Sequence, residues 1–176
     1  MRFLPLLAIG IILMTHTYGQ NTSFAATKYL QLAEAIDKDR SMKKIRLENE
    51  DFLEEALDGG GELTGYYHNG ELRKIHCWLG YSWGTDEKNF YYQNNQLFYV
   101  RQTTSHFVFD DTSDTLRHDS LNAPFTGQYF FHYGTLMHYV VTETGHHFES
   151  EKEDIESSTK EESEAWLSAL KQKRPK

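Results

Sequence analysis

The chain has 176 residues, a formal net charge of −8 and a single cysteine, Cys77. That length suits one domain with a real core and requires no second one. The acidic balance disfavours nucleic acid, whose phosphates need a basic patch, and one cysteine excludes an intramolecular disulfide.

Met1 and Arg2 precede an apolar stretch from Phe3 to Met14, and the small residues Thr17 and Gly19 lie just before Gln20. One positive charge, a short apolar core and small residues near a cleavage point have the form of a secretory signal peptide. The stretch falls short of the ~20 apolar residues that span a bilayer. The expectation is a signal at 1–19, cleaved after Gly19, and an exported domain at 20–176, periplasmic or secreted, without a transmembrane segment. No cysteine lies near the cleavage point, so a lipoprotein is not expected. Further on, Phe24, Ala26, Leu30, Ala33 and Ile36 fall near one helical face behind Ser23, which predicts a capped helix over 24–38. Residues 42–47 alternate weakly and fit a short strand or a linker. Residues 51–57 read as a brief helix, stopped by Asp58 and the glycines 59–61.

From Glu62 to Phe148 the pattern is antiparallel β. Three segments line up without a gap, YYHNGELRKI from Tyr66, YYQNNQLFYV from Tyr91 and FFHYGTLMHY from Phe130. Asn69-Gly70 is the strongest two-residue hairpin signal, Asn94-Asn95 a weaker one and Tyr133-Gly134 the weakest. These turns set Tyr67 opposite Leu72, Tyr92 opposite Leu97 and Phe131 opposite Leu136. Strict alternation then collects Tyr67, Leu72, Phe90, Tyr92, Leu97, Tyr99, Tyr129, Phe131, Leu136 and Val140 on one face. The other face receives Tyr66, Ile75, Tyr91, Phe98, Val100, Phe130, Met137, Tyr139 and Val141. Both faces are apolar, unlike a sheet with one wet side.

Residues 110–127 are polar, acidic and turn-rich, and read as a long loop. The C-terminal part carries a sparse apolar stripe, with Ser158 and Glu161 resembling a capping box, which predicts a helix over 159–172. The fold class expected is α+β, an antiparallel sheet of about six strands built from three successive hairpins, with both helices packed against one face.

Signals for catalysis are sparse. Cys77, between His76 and Trp78 on a strand, reads as a small buried apolar residue. His147 shares a strand side with Glu143 and Glu149 and could face a zinc-like ion, but the spacing fits no established ligand pattern and a solvated strand end explains it. Asp110, Asp111 and Asp114 invite calcium, yet no turn glycine or closing glutamate follows. No nucleophile elbow, zincin helix, phosphate loop or Cys/His pairing is present. A carboxylate pair assembled only by folding, such as Glu71 with Asp86, keeps an enzymatic reading open. No metal or cofactor is expected. The remaining signal is aromatic: Tyr66, Trp83, Tyr91, Phe98, Tyr99 and Tyr139 are the candidate ligand-binding residues, with Trp78 and Tyr81 near them, because such rings offer large amphipathic contact area at little entropic cost.

The pattern of two aromatics, a turn and a leucine, at 65–76, 90–101 and 129–140, resembles the MORN-type repeat. The whole layout is similar to small exported proteins of Bacteroidota with no assigned activity. For that group Asp114-Thr115-Leu116 and Asp119-Ser120-Leu121 resemble the periplasmic O-glycosylation acceptor. The expected function is a non-enzymatic exported module that binds a protein, peptide or glycan through an aromatic sheet face. The alternatives are a small periplasmic hydrolase or metal-dependent enzyme, and an envelope scaffold that binds lipid or peptidoglycan.

Overall fold

Seven strands lie side by side in the order in which they occur along the chain, each antiparallel to the next. They are β1 (Lys43–Glu48), β2 (Gly60–His68), β3 (Glu71–Tyr81), β4 (Gly84–Gln93), β5 (Gln96–Asp110), β6 (Thr115–His132) and β7 (Thr135–Glu143), framed by helices α1 (Tyr18–Lys38) and α2 (Lys152–Gln172). The structure is a computed structural model and describes residues 18–143 and 150–173. The expected signal, except Tyr18 and Gly19, and the His146-His147 cluster lie outside the described residues.

The three expected hairpins form with the expected pairs, Tyr67 opposite Leu72, Tyr92 opposite Leu97 and Phe131 opposite Leu136. Both residues of each turn have positive φ, including Asn94 and Asn95 at 51° and 60° and Tyr133 at 48°, as a type I′ turn demands. Each returning strand then carries one extra residue, because the register shifts between Tyr66 and Tyr67, Tyr91 and Tyr92, and Phe130 and Phe131. The bulged residues are Arg73, Phe98 and Met137. A bulge resets the alternation beyond it, which corrects the expected faces. Ile75, Val100, Tyr139 and Val141 join the row of Tyr67, Phe90 and Tyr92, whereas Tyr99 joins Tyr91, Phe98 and Phe130.

The two faces are covered by different helices, not by both helices on one side. Against one, α1 lays Ala33 and Ile36, with Ala26, Tyr29 and Leu32 at their edge, onto Tyr91, Phe98, Tyr99 and Phe130. Their spacing of three and four residues makes one helical stripe. Against the other, α2 lays Ile155, Trp166, Leu167 and Leu170 onto the larger core. Ser23 lies inside α1, so it does not cap it, and α2 starts a full turn and more before Thr159. Ser158 is within α2 and its hydroxyl donates to the Ile155 carbonyl at 3.3 Å; Glu153 and Asp154 occupy the first turn, where the helix dipole favours acids.

Two further expectations are corrected. Residues 51–57 form no helix beyond a single 3-10 turn at Asn49–Asp51. A helix that short has too few internal bonds to stand alone. Instead Asn49 Oδ1 accepts the Gly61 N–H at 2.8 Å and Phe52 packs edge-on against Trp166, so the segment is pinned between sheet and α2. Residues 110–127 are not a loop. They continue β5 and β6 as a paired ribbon around a turn at 111–114.

Candidate functional site

The six aromatics expected to bind a ligand do not form one site. Tyr91, Phe98 and Tyr99 are at most 5% exposed and lie under α1. Tyr91 stacks on Tyr99 at 5.4 Å, Tyr99 meets Phe130 at 5.0 Å, and the Tyr91 hydroxyl donates to Asp37 at 2.9 Å. Burial pushes the Tyr91 phenol far above its ordinary value, so these rings are the seat of α1. Tyr66 is half-buried beside them, with the Lys44 and Lys74 ammonium groups 5.1 and 5.4 Å from its ring centre. Tyr139 packs on the opposite face. Trp83 stands at the far end of the sheet, 40% exposed, stacked on Tyr81 at 4.8 Å and edge-on to His106 at 4.9 Å.

Under α2 a polar network surrounds a cavity of about 320 Å³ lined by Lys88, Gln102, Phe125, Tyr129, Asp154, Ser158 and Glu162 among others. Lys88 donates to both Glu162 oxygens at 3.0 and 2.7 Å and lies 3.8 Å from Asp86. Asp86 in turn accepts from Gln102 and Thr104. Burial opposes the charge on Lys88, but Glu162 and Asp86 outweigh it and hold its ammonium above the ordinary lysine value. Charged groups so fully engaged with each other are a structural clamp between β4 and α2. The neighbouring Cys77 thiol, buried, is pushed up to about 12 and stays protonated, which makes it a poor nucleophile.

The carboxylate pairing of Glu71 with Asp86 does not occur. Asp86 lies opposite Leu79, eight residues along β3 from Glu71, which is roughly 27 Å at the usual strand rise. Glu71 instead faces Arg73 at 3.8 Å. The Asp110 carboxylate accepts the Thr112 N–H at 2.9 Å, and no group of three metal-binding side chains occurs among the described residues. On the α1 side, beyond the helix, Glu87 lies 3.3 Å from His76 and accepts from Asn89 at 3.1 Å. The bond from His76 is the main cause that brings its carboxyl down to about 2.

The group that sequence reasoning missed is on the ribbon. β4 ends at Gly84 opposite His106, and β7 ends at Glu143 opposite Phe125. Beyond those pairs, apart from the Phe107 N–H that donates to the Trp83 carbonyl at 2.9 Å, β5 and β6 pair only with each other among the described residues. Phe107 faces Leu121 and Phe109 faces Leu116, so the four side chains share one side of the ribbon. Between these pairs β6 carries three extra residues, His118–Ser120, and the His118 ring leans on Phe107 at 4.5 Å. Phe109 is 51%, Leu116 38% and Leu121 49% exposed. Asp110, Asp111, Asp114 and Asp119 lie on the same ribbon and its turn, the last three exposed, and Arg117 lies 3.3 Å from Asp119. Thr115 is exposed and Ser120 half-buried. The available signal was symmetry: Phe109 and Leu116 flank Asp110–Thr115 as the paired residues of the other hairpins flank their turns.

Compared with protein-family models, curated proteins and solved structures, the chain matches none. No helix among the described residues is long and apolar enough to cross a membrane.

Proposed function

We propose that this chain is an exported, non-enzymatic binding module that grips a protein partner with the β5–β6 ribbon. One observation carries the reading: three large apolar side chains, Phe109, Leu116 and Leu121, stand open on one side of a ribbon extending past the sheet. A two-stranded ribbon has little stability of its own in water, and clustered exposed apolar residues on a protein surface mark contact sites. The seven-stranded base, braced by α1 and α2, supplies a rigid mount. The aspartates on the ribbon and its turn point to the partner class. They repel anionic lipid surfaces and complement an apolar groove with basic residues at its rim. The apolar stretch Phe3–Met14 behind Arg2 supports export.

The test is a photo-crosslinking residue placed at Phe109, with Tyr133 as control. Tyr133 is 78% exposed at the opposite end of the sheet. In native cells the position-109 variant should trap one defined protein and the position-133 variant should not. Equal trapping from both positions, none from either, or co-sedimentation of the purified chain with anionic vesicles would refute it.

A further inference from the structure

The three repeats place a different side chain at the same bulge position, and the difference leaves a cavity in the first. In the second repeat the bulged Phe98 is 5% exposed and fills the space under α1, in contact with Tyr29 at 5.3 Å. In the first repeat the bulged residue is Arg73, which lines a cavity of about 260 Å³ with Leu32, Ala35, Ile36, Asp39, Met42 and His68. Four of these are apolar and come from α1 and the segment after it. Among the described residues Arg73 Nε is buried without a hydrogen-bond partner. Within 4 Å of its guanidinium the described residues place one carboxylate, Glu71, at 3.8 Å, beyond hydrogen-bond distance.

Nε itself is covered, but the Arg73 side chain as a whole is 23% exposed and borders the cavity. Its planar fork is matched best by a carboxylate or a phosphate. The other walls choose between these. Asp39 also borders the cavity, its oxygens taken up by the Ser41 N–H, the Ser41 hydroxyl and His68 Nδ1, and a dianion would suffer more from it than a single carboxylate. Leu32, Ala35, Ile36 and Met42 offer a place for an alkyl chain and nothing for further phosphate oxygens. Lys43 and Lys44 border the neighbouring cavity that shares His68, so this corner is basic within an acidic chain. The volume is roughly nine waters' worth, about that of a six- to eight-carbon acid.

We propose that this cavity binds a small apolar monocarboxylate, its carboxylate on Arg73 and its alkyl part against α1. This site is separate from the ribbon and stands whether or not the ribbon binds a protein. Two sources share the chemistry, a free short-chain acid and the C-terminal residue of a peptide. Hexanoate and N-acetyl-leucine represent them.

The experiment titrates each compound, with hexanol and inorganic phosphate as controls, into the purified 20–176 chain and follows amide and arginine Nε–H signals by NMR. Hexanoate or N-acetyl-leucine should shift the Arg73 Nε–H and the amides of Ala35, Met42 and His68, and whichever binds tighter names the source. Arg73→Gln should weaken binding roughly tenfold or more. Ala35→Phe, on a residue exposed at the cavity mouth, should block the alkyl part with the arginine intact, and it carries the test if Arg73→Gln fails to fold. Binding of hexanol as tight as hexanoate, phosphate as the tightest ligand, no shift with either acid, or unchanged affinity in Ala35→Phe would each overturn the proposal.

Discussion

Tyr92 and Ser163 join α2 to the middle of the sheet by a hydrogen bond between two buried side chains, 2.8 Å apart. Tyr92 is 1% exposed and Ser163 4%. Removing either hydroxyl leaves the other buried without its partner, a loss of ~1–3 kcal/mol, whereas removing both is nearly neutral. The two single changes should differ. Ser163 sits inside α2, where a serine can turn back to the carbonyl four residues earlier, so Tyr92→Phe should cost ~1 kcal/mol. The Tyr92 phenol has no such retreat, so Ser163→Ala should cost ~2 kcal/mol. The double variant should lie within ~1 kcal/mol of the parent, which gives a coupling energy of ~2 kcal/mol. Urea unfolding of the four proteins measures it: at a slope of ~1–3 kcal/mol per molar, Ser163→Ala moves the midpoint by roughly 1 M. Additive losses in the double variant, or a larger loss for Tyr92→Phe than for Ser163→Ala, would refute this account of how α2 is held.

Other outcomes follow from the same contacts. Burial raises the phenols of Tyr91, Tyr92, Tyr99 and Tyr129, the last to about 12. Their folded values exceed the unfolded ones, so their contribution is complete below pH ~10 and is lost as the pH rises through the folded values; circular dichroism should show alkaline unfolding there. Glu87 shifts the other way, from 4.5 to about 2, so its contribution holds above pH 4.5 and fades between 4.5 and 2, and Glu87→Gln should flatten the acid limb in that window. Lys88→Met strands Glu162 and Asp86 and should cost ~2 kcal/mol or more, whereas Lys88→Met with Glu162→Leu should recover part of it, read by thermal unfolding. At Gly84 an added Cβ would collide with the Ser105 carbonyl oxygen. Gly84→Ala should therefore destabilise the chain by ~1–3 kcal/mol, as overpacking does, and broaden the NMR signals of the ribbon base, where the Phe107 N–H donates to the Trp83 carbonyl.

Turn chemistry and the apolar pattern determined by themselves that residues 66–75, 91–100 and 130–139 are hairpins, and which residues face each other across them. A two-residue turn with positive φ leaves the flanking register no freedom. They also showed that both faces of the sheet are apolar, but left open whether the face without helices is covered by the chain itself or by a partner. What they could not determine is the bulge one residue past each leucine. It is a cooperative choice of two paired strands and carries no residue signature: Arg73, Phe98 and Met137 share no chemistry. That choice sent Tyr99 under α1 and Ile75 and Val100 under α2. The ribbon was hidden for a related reason. Both sides of a two-stranded ribbon are wet, so polar residues are tolerated throughout, and the three-residue bulge at His118–Ser120 breaks the period of two that marks a strand. Which helix covers which face, and that Phe109, Leu116 and Leu121 stay uncovered, was decided only in the tertiary structure, because burial there depends on elements distant in the chain.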